Sequence, residues 1–356
     1  MNHAATAPGA HATDAERVAL RALVRRHARA DDRTAWRMLT STFAVYAGSL
    51  AASTILLGRT RGAAGWPARL GFGLASALAL IALAASMVRA FMLHHDLCHG
   101  RFFSSRALCR RVAPLAGTLV STSPSVWSRE HDRHHRDSNN LDRPQDGQTA
   151  SWTAATYARA PRWQRWIYFV VNQRPVLFVL VPPLYFLGFM RVRARWHENA
   201  LFLAFALLLV GTGAWLPFAL ALFPAASFGF LVFHATHTFA GVVRRRAASW
   251  DFVENALAGT SLLVVPERGL LGAGLRWALF SLQYHHVHHL HPGVPAYRLA
   301  RCHREGGAMF DRVPRVTIRD ALRATRYTLF DEASGSLVPF ANPTPRPARA
   351  RRPPEG

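Results

Sequence analysis

Residues 283–292 read Gln283-Tyr284-His285-His286-Val287-His288-His289-Leu290-His291-Pro292 and place five histidines within seven positions. Wound as a helix, each residue advances by about 100°, so His285, His288 and His289 share a face and His286 points away from it. The same i, i+3, i+4 spacing recurs at His131, His134 and His135, and His95 and His99 repeat its i, i+4 part. Eight imidazoles on three segments exceed what one metal ion takes and suit two. Imidazole alone does not select among iron, zinc, copper and nickel. Four histidines would close the shell of a tetrahedral zinc, whereas iron takes five or six ligands and keeps positions open for dioxygen. The pattern therefore points to a di-iron, oxygen-using site.

Other residues near the clusters read as supports of the ligands. His94 and His286 point off the ligand faces, and His234 and His237 stand at the inner end of an apolar run, where an ionisable group is expensive unless used. Asp96, Asp132, Asp137 and Asp142 are interleaved with the histidines and can orient imidazoles through their second nitrogens. The isolated His3, His11, His27, His197 and His303 read as ordinary surface or core residues.

The chain has 356 residues, half of them apolar, and a formal charge of +23 carried entirely by arginine, since it contains no lysine. No basic repeat or nucleic-acid motif accompanies that charge, so it suits a membrane face or an acidic protein partner and not nucleic acid. Cys98, Cys109 and Cys302 form no CxxC and no paired framework, which implies free thiols in a reducing compartment. The first residues lack the apolar core of a signal peptide. Uncharged runs over 39–57 and 70–88 are long enough to cross a bilayer core of about 30 Å, and the runs 200–211 and 216–233 are expected to form a membrane hairpin turning near Gly211 to Pro217. The run 176–190 contains Pro182-Pro183 and ends at Arg191, Arg193 and Arg195, so it is expected to lie in the interface or to dip in and return.

These features predict an all-α integral membrane protein: a four-helix transmembrane bundle under a cytoplasmic helical cap that holds a histidine-rich di-metal site. The ligand clusters can share a site only if the chain crosses an even number of times between them, and the arginine bias puts both termini and the site in the cytoplasm. The predicted organisation is a disordered start and one basic interfacial helix over 1–36, with the helix running from Asp14 to Arg37, a single membrane domain over 37–335 and a disordered Pro/Arg-rich tail over 336–356.

The motifs resemble the membrane fatty acid desaturase family from about residue 85 to 305. His95-Asp96-Leu97-Cys98-His99-Gly100-Arg101-Phe102-Phe103 is similar to that family's first box, HDxxHGxFF. Trp127, His131, His134, His135, Asn139 and Asp142 match WxxxHxxHHxxTNxxD, and His285 to Arg304 matches the third box with its PxxPxYxLxRCHR ending. Trp250-Asp251-Phe252 and Gly259-Thr260-Ser261 are also similar to a family segment. The family's Glu is Ala240 here, and an Asn found four residues before the third box is Ser281.

The resemblance implies a di-iron oxidoreductase that introduces a cis double bond into a fatty acyl chain, with an acyl-lipid delta-12 or omega-type enzyme nearest in motif. It adds His237 as a ninth ligand beside His95, His99, His131, His134, His135, His285, His288 and His289, with His94, His234, His286, Asp96, Asn139 and Asp142 as neighbours of the ligands. Two iron ions, dioxygen and electrons from a separate ferredoxin-like protein are implied, in a bacterial inner membrane. A hydroxylase or carotenoid-modifying oxygenase would use the same boxes with a differently shaped pocket. A non-redox metal transporter would place its ligands near the bilayer midplane, and the clusters here lie beyond the ends of the apolar runs.

Overall fold

In the computed structural model the described residues are 12–143 and 151–340, so the expectations for 1–11 and for 341–356 lie outside them. The single basic helix expected over Asp14–Arg37 is instead one whole helix and the start of a second. In α1 (Asp14–His27) Thr13 and Glu16 form a reciprocal capping box. The Asp31 side chain then accepts the Thr34 N–H at 3.1 Å and opens α2 (Asp32–Gly62). The run is divided because α1 ends at His27 and the second capping signal, at Asp31, starts a new helix. Leu20, Leu23 and Val24 are buried, and Arg17 pairs with Asp251 and His27 with Glu305, each at 2.9 Å, so α1 is docked on the rest of the protein.

The antiparallel pair α2 and α3 (Trp66–Cys98) packs along its length, with Thr42, Ser49 and Ser53 of α2 buried. Small side chains let the two backbones approach. The last turn of α3 carries His94, His95 and Asp96, followed by α4 (Arg106–Thr118) and α5 (Pro124–Asp137). Next come β1 (Trp152–Thr153), α6 (Ala154–Arg159), α7 (Arg162–Val171) and α8 (Val176–Val192). Two stretches of α8, Val176–Leu180 and Tyr185–Phe189, are wound as π-helix on either side of Pro182-Pro183, which lack N–H donors and disturb the regular ladder. The chain continues through α9 (Trp196–Gly211), α10 (Trp215–His237), α11 (Phe252–Ala258), β2 (Leu262–Val264) and α12 (Gly269–Leu279). The last elements are α13 (His285–Leu290), α14 (Ala296–Gly306), β3 (Arg315–Thr317), α15 (Ile318–Ala324), β4 (Leu329–Asp331) and β5 (Ser336–Val338).

The fold is mostly helical, with two small sheets that the all-α expectation omitted: β1 lies parallel to β4 and β5 antiparallel to it, while β2 lies parallel to β3. Strands of two or three residues are too short to show an alternating pattern. The expected disordered tail also begins too early. β5 registers on β4 with Val338 opposite Leu329, Leu337 is buried, and the Phe340 ring lies 5.2 Å from Phe169.

Helices α2, α3 and α10 are long and apolar enough to cross a membrane, with mean hydropathies of 1.3, 2.1 and 2.0. The pair α7 and α8 passes the same test when taken together, but is bent by 66° at the break between them, the geometry of a broken span or a re-entrant loop. The run expected to cross at 200–211 sits on α9, whose 16 residues span about 24 Å, less than a full hydrocarbon core.

Candidate metal centre

Four elements deliver the nine histidines to one place. Helix α5 starts at the Ser123 side chain, which caps Val126 N–H, with Pro124 in the first turn, and it ends before Asn139, which adopts a left-handed φ of 58°. That fixes the facing of His131, His134 and His135. The short α13 is entered through Phe280 and Ser281, both left-handed, and is left through His291 and Pro292. His95 and His99 come from the end of α3, and His237 from the last turn of α10.

The imidazoles form two groups. His95, His99, His131 and His288 bring ligand nitrogens within 4.8 Å of one another, and so do His134, His237, His285 and His289. His135 adjoins the first group, its Nε2 lying 3.0 Å from His131 Nε2 and 2.8 Å from His288 Nε2. Each HxxHH box is therefore divided. In α5 the i, i+4 pair His131 and His135 faces the first group and His134 the second; in α13 the pair His285 and His289 faces the second and His288 the first. Residues four apart lie about 40° apart around a helix and the i+3 residue falls on the other side of that pair, so a helix running between two ions serves both. The shared face of His285, His288 and His289 does not by itself reveal this division.

In the second group His134 Nε2 lies 3.0 Å from His237 Nε2 and 3.3 Å from His289 Nε2, and His237 Nε2 lies 2.8 Å from His285 Nε2. A neutral imidazole has one N–H, so a nitrogen that meets two others cannot donate to both. Nε2 of His95 and of His99 are buried with no hydrogen-bond partner. Burial, reinforced by the neighbouring imidazoles, holds His131, His135, His288 and His289 well below the usual histidine value, and burial brings His285 down to about 3. Neutral rings with converging lone pairs fit cations and not protons, and an all-imidazole donor set fits iron among other transition metals.

Of the supporting residues, Asp96 touches a ligand candidate directly. His95 Nδ1 donates to Asp96 Oδ1 at 3.2 Å, and Asp96 Oδ2 accepts the Ala296 N–H at 2.6 Å, which joins the first box to the segment beyond the third. The others face elsewhere. His94 Nδ1 donates to Ala113 O at 3.1 Å, His286 Nε2 meets His303 Nδ1 at 2.9 Å, and His234 Nε2 donates to Ala324 O at 3.2 Å. Asn139 Nδ2 donates to Asn255 Oδ1 and Gly259 O at 2.9 and 2.8 Å, and Asp142 pairs with Arg246. These contacts fasten the box-bearing segments to one another. Ala240, at the position of the family's Glu, is exposed.

A cavity of about 900 Å³ opens on the histidines, with His95, His131, His134 and His285 in its wall. Residues of α3, α8 and α10 wall it, among them Phe91, Phe186, Met87, Leu222 and Ala226. Sequence reasoning did not single out Trp127 as a site residue, yet its ring stacks on His131 at 4.1 Å and lines the cavity. Its position four before His131 was the available signal. Glu198 was also missed: this buried side chain accepts Ser125 N–H at 3.1 Å and Ser125 Oγ–H at 2.8 Å, and accepts from Ser123 Oγ, at the start of α5.

The family model for fatty acid desaturase matches residues 67–318. The chain belongs to the fatty acid desaturase family. It is also 30% identical over 278 residues to a protein named fatty acid desaturase from Bacillus subtilis (strain 168), an alignment covering 74% of this chain and 77% of that one. The matched region of this desaturase includes every one of the nine histidines and ends at the start of α15.

Proposed function

We propose that the protein inserts a cis double bond into a fatty acyl chain, using dioxygen, two ions of iron and two electrons from a separate carrier such as a ferredoxin. The observation that carries this reading is the opening of a mostly apolar cavity of about 900 Å³, walled by apolar helices, onto both histidine groups. In the proposed reaction two hydrogens leave adjacent methylenes with two electrons, two further electrons and two protons arrive from outside, and dioxygen departs as two waters. Bound iron would supply the oxygen chemistry that breaks the unactivated C–H bonds. The protein's part is to hold the chain so that chosen carbons stop beside His95, His131, His134 and His285, with Trp127, Phe91, Phe186 and Phe230 excluding water from the reacting carbons.

An acyl chain carried on a membrane lipid, desaturated in mid-chain or beyond an existing double bond, is the substrate that a cavity between apolar helices suits. In the same reading the chain crosses a bacterial inner membrane four times, through α2, α3, α9 and α10, with α7 and α8 re-entrant and the termini and site cytoplasmic. The arginine-rich face beside the site would receive an acidic electron carrier. The test is expression with a ferredoxin and its reductase in a host of known lipid content, followed by mass spectrometry of fatty acid methyl esters. A new acid two mass units lighter supports the reading; one sixteen units heavier makes the protein a hydroxylase, and unchanged acyl chains with altered carotenoids overturn the substrate.

A further inference from the structure

Arg89 lies on α3, six residues before His95, and is enclosed, with 5% of its surface exposed. Its partners among the described residues are all uncharged. Nε donates to Thr42 Oγ1 of α2 at 2.9 Å, Nη2 meets Met38 Sδ at 3.2 Å, and Nη1 donates to the carbonyl of Trp277. The guanidinium carbon also stands 4.4 Å from the centre of the Phe280 ring and 4.8 Å from that of Trp277. Trp277 O is one of the last carbonyls of α12, at the negative end of the helix dipole. A cation buried without a counter-charge is unfavourable, so an apolar side chain would fill this space at lower free energy unless the bonds of the guanidinium are used.

Those bonds end at a strained turn. Phe280 and Ser281 both adopt left-handed backbone, with φ of 49° and 66°, a region that residues other than glycine occupy where their surroundings hold them. Arg89 holds this turn from α3, through the last carbonyls of α12 and the face of the Phe280 ring. Ser281 to Tyr284 are all that separates the turn from α13, and the far end of that link is tied elsewhere, by Leu263 N–H donating to Gln283 O at 3.0 Å. We propose that Arg89 is a positioning residue for the third histidine cluster. It fixes the Phe280–Ser281 turn and so sets α13, whose His285, His288 and His289 serve both metal groups, against α3, which carries His95. The hold on α13 rests on this packing; its consequence for metal rests on the di-metal reading of the proposed function.

The experiment follows amide hydrogen exchange and iron release in the purified full chain. Arg89→Met fills the space without charge or donors. It is expected to raise exchange over 282–290 about tenfold through local opening, and to leave α5, residues 124–137, at the wild-type rate. Iron should pass to a ferrous chelator about tenfold faster or more, from both groups together, the scale on which residues that orient metal ligands act. Arg89→Lys, which keeps the charge and loses the planar fork, should fall between Arg89→Met and the wild type. Phe280→Leu keeps the arginine, removes the ring beneath it and should move both readouts in the same direction. Thr42→Val removes only the bond to α2 and should leave both near wild type. Exchange over 282–290 that is unchanged in Arg89→Met, or raised equally in α5, would overturn the assignment, and so would wild-type iron release from that variant. Where Arg89→Met fails to fold, Phe280→Leu decides by the same readouts. Wild-type protein that takes up no iron, alongside raised exchange over 282–290 in Arg89→Met, would overturn the proposed function and leave the hold of Arg89 on α13 intact.

Discussion

His134 Nε2 lies 3.0 Å from His237 Nε2, although 103 positions separate the two residues. The contact joins α5 to the last turn of α10 and belongs to the second histidine group, while the adjacent His135 serves the first. Because the groups draw on different residues, damage to one should leave the other able to bind. His237→Ala is expected to lose about one of two metal ions per chain, and His288→Ala the ion of the other group. Elemental analysis of protein purified with its native metal content checks this, and loss of both ions from either variant would count against two separable groups.

Asp96 accepts from both His95 Nδ1 and Ala296 N–H, so it sets the ring orientation of one ligand candidate and ties it to the third box. Asp96→Asn keeps one acceptor and turns an amide N–H toward the imidazole. Metal affinity of the first group is expected to fall about 10–100-fold, read as faster loss of one ion to a chelator, with the second ion unaffected.

Gly259 is a place where the packing admits no side chain. A Cβ there would lie 2.5 Å from Asn255 Oδ1 and 2.6 Å from Asn139 Nδ2, the pair that fastens the end of α5 to α11. Gly259→Ala should destabilise the protein by about 1–3 kcal/mol through overpacking. A thermal melt in detergent measures this, and an unchanged melting temperature would show that the junction yields.

Gly229 faces the cavity, and a Cβ added to it meets nothing within 4 Å. It lies eight residues before His237, a distance of about 12 Å along α10. Gly229→Leu should therefore leave the site intact and shorten the space beyond it, shifting products toward shorter acyl chains. The fatty acid profile of cells expressing the variant decides the point: an unshifted chain-length distribution would falsify the placement of the tail along α10.

Glu198, in the first turn of α9, holds the start of α5 through Ser123 and Ser125. Arg193, just before α9, lines the same cavity as His95, His131, His134 and His285. Reporter fusions at Arg193 and at the C-terminus should read cytoplasmic, and one at Arg61 should read external. An external Arg193 would contradict the four-crossing topology.

Much of this molecule was decided by residue identity and spacing. The HxxHH pattern at His131 and His285 determined that helices would present imidazoles in sets, because a helix turns by a constant angle per residue. Uncharged runs determined the helices α2, α3 and α10, which are long and apolar enough to cross a membrane. Local capping chemistry at Thr13 and Asp31 was also present in the sequence, though the arginine periodicity masked the break between α1 and α2.

Tertiary structure alone decided which imidazole serves which group, since the division of each box depends on how α5 and α13 are set against α3 and α10. It also decided the fate of charges that look alike in the sequence. Arg244, Arg245 and Arg246 are three identical neighbours, and only packing gives two of them carboxylates and leaves the third enclosed near Phe330. Glu198 reads as a solvated residue at a helix start until α9 is laid beside α5. Spacing along one element fixes directions around its own axis; which groups meet across elements depends on long-range packing that no local pattern encodes.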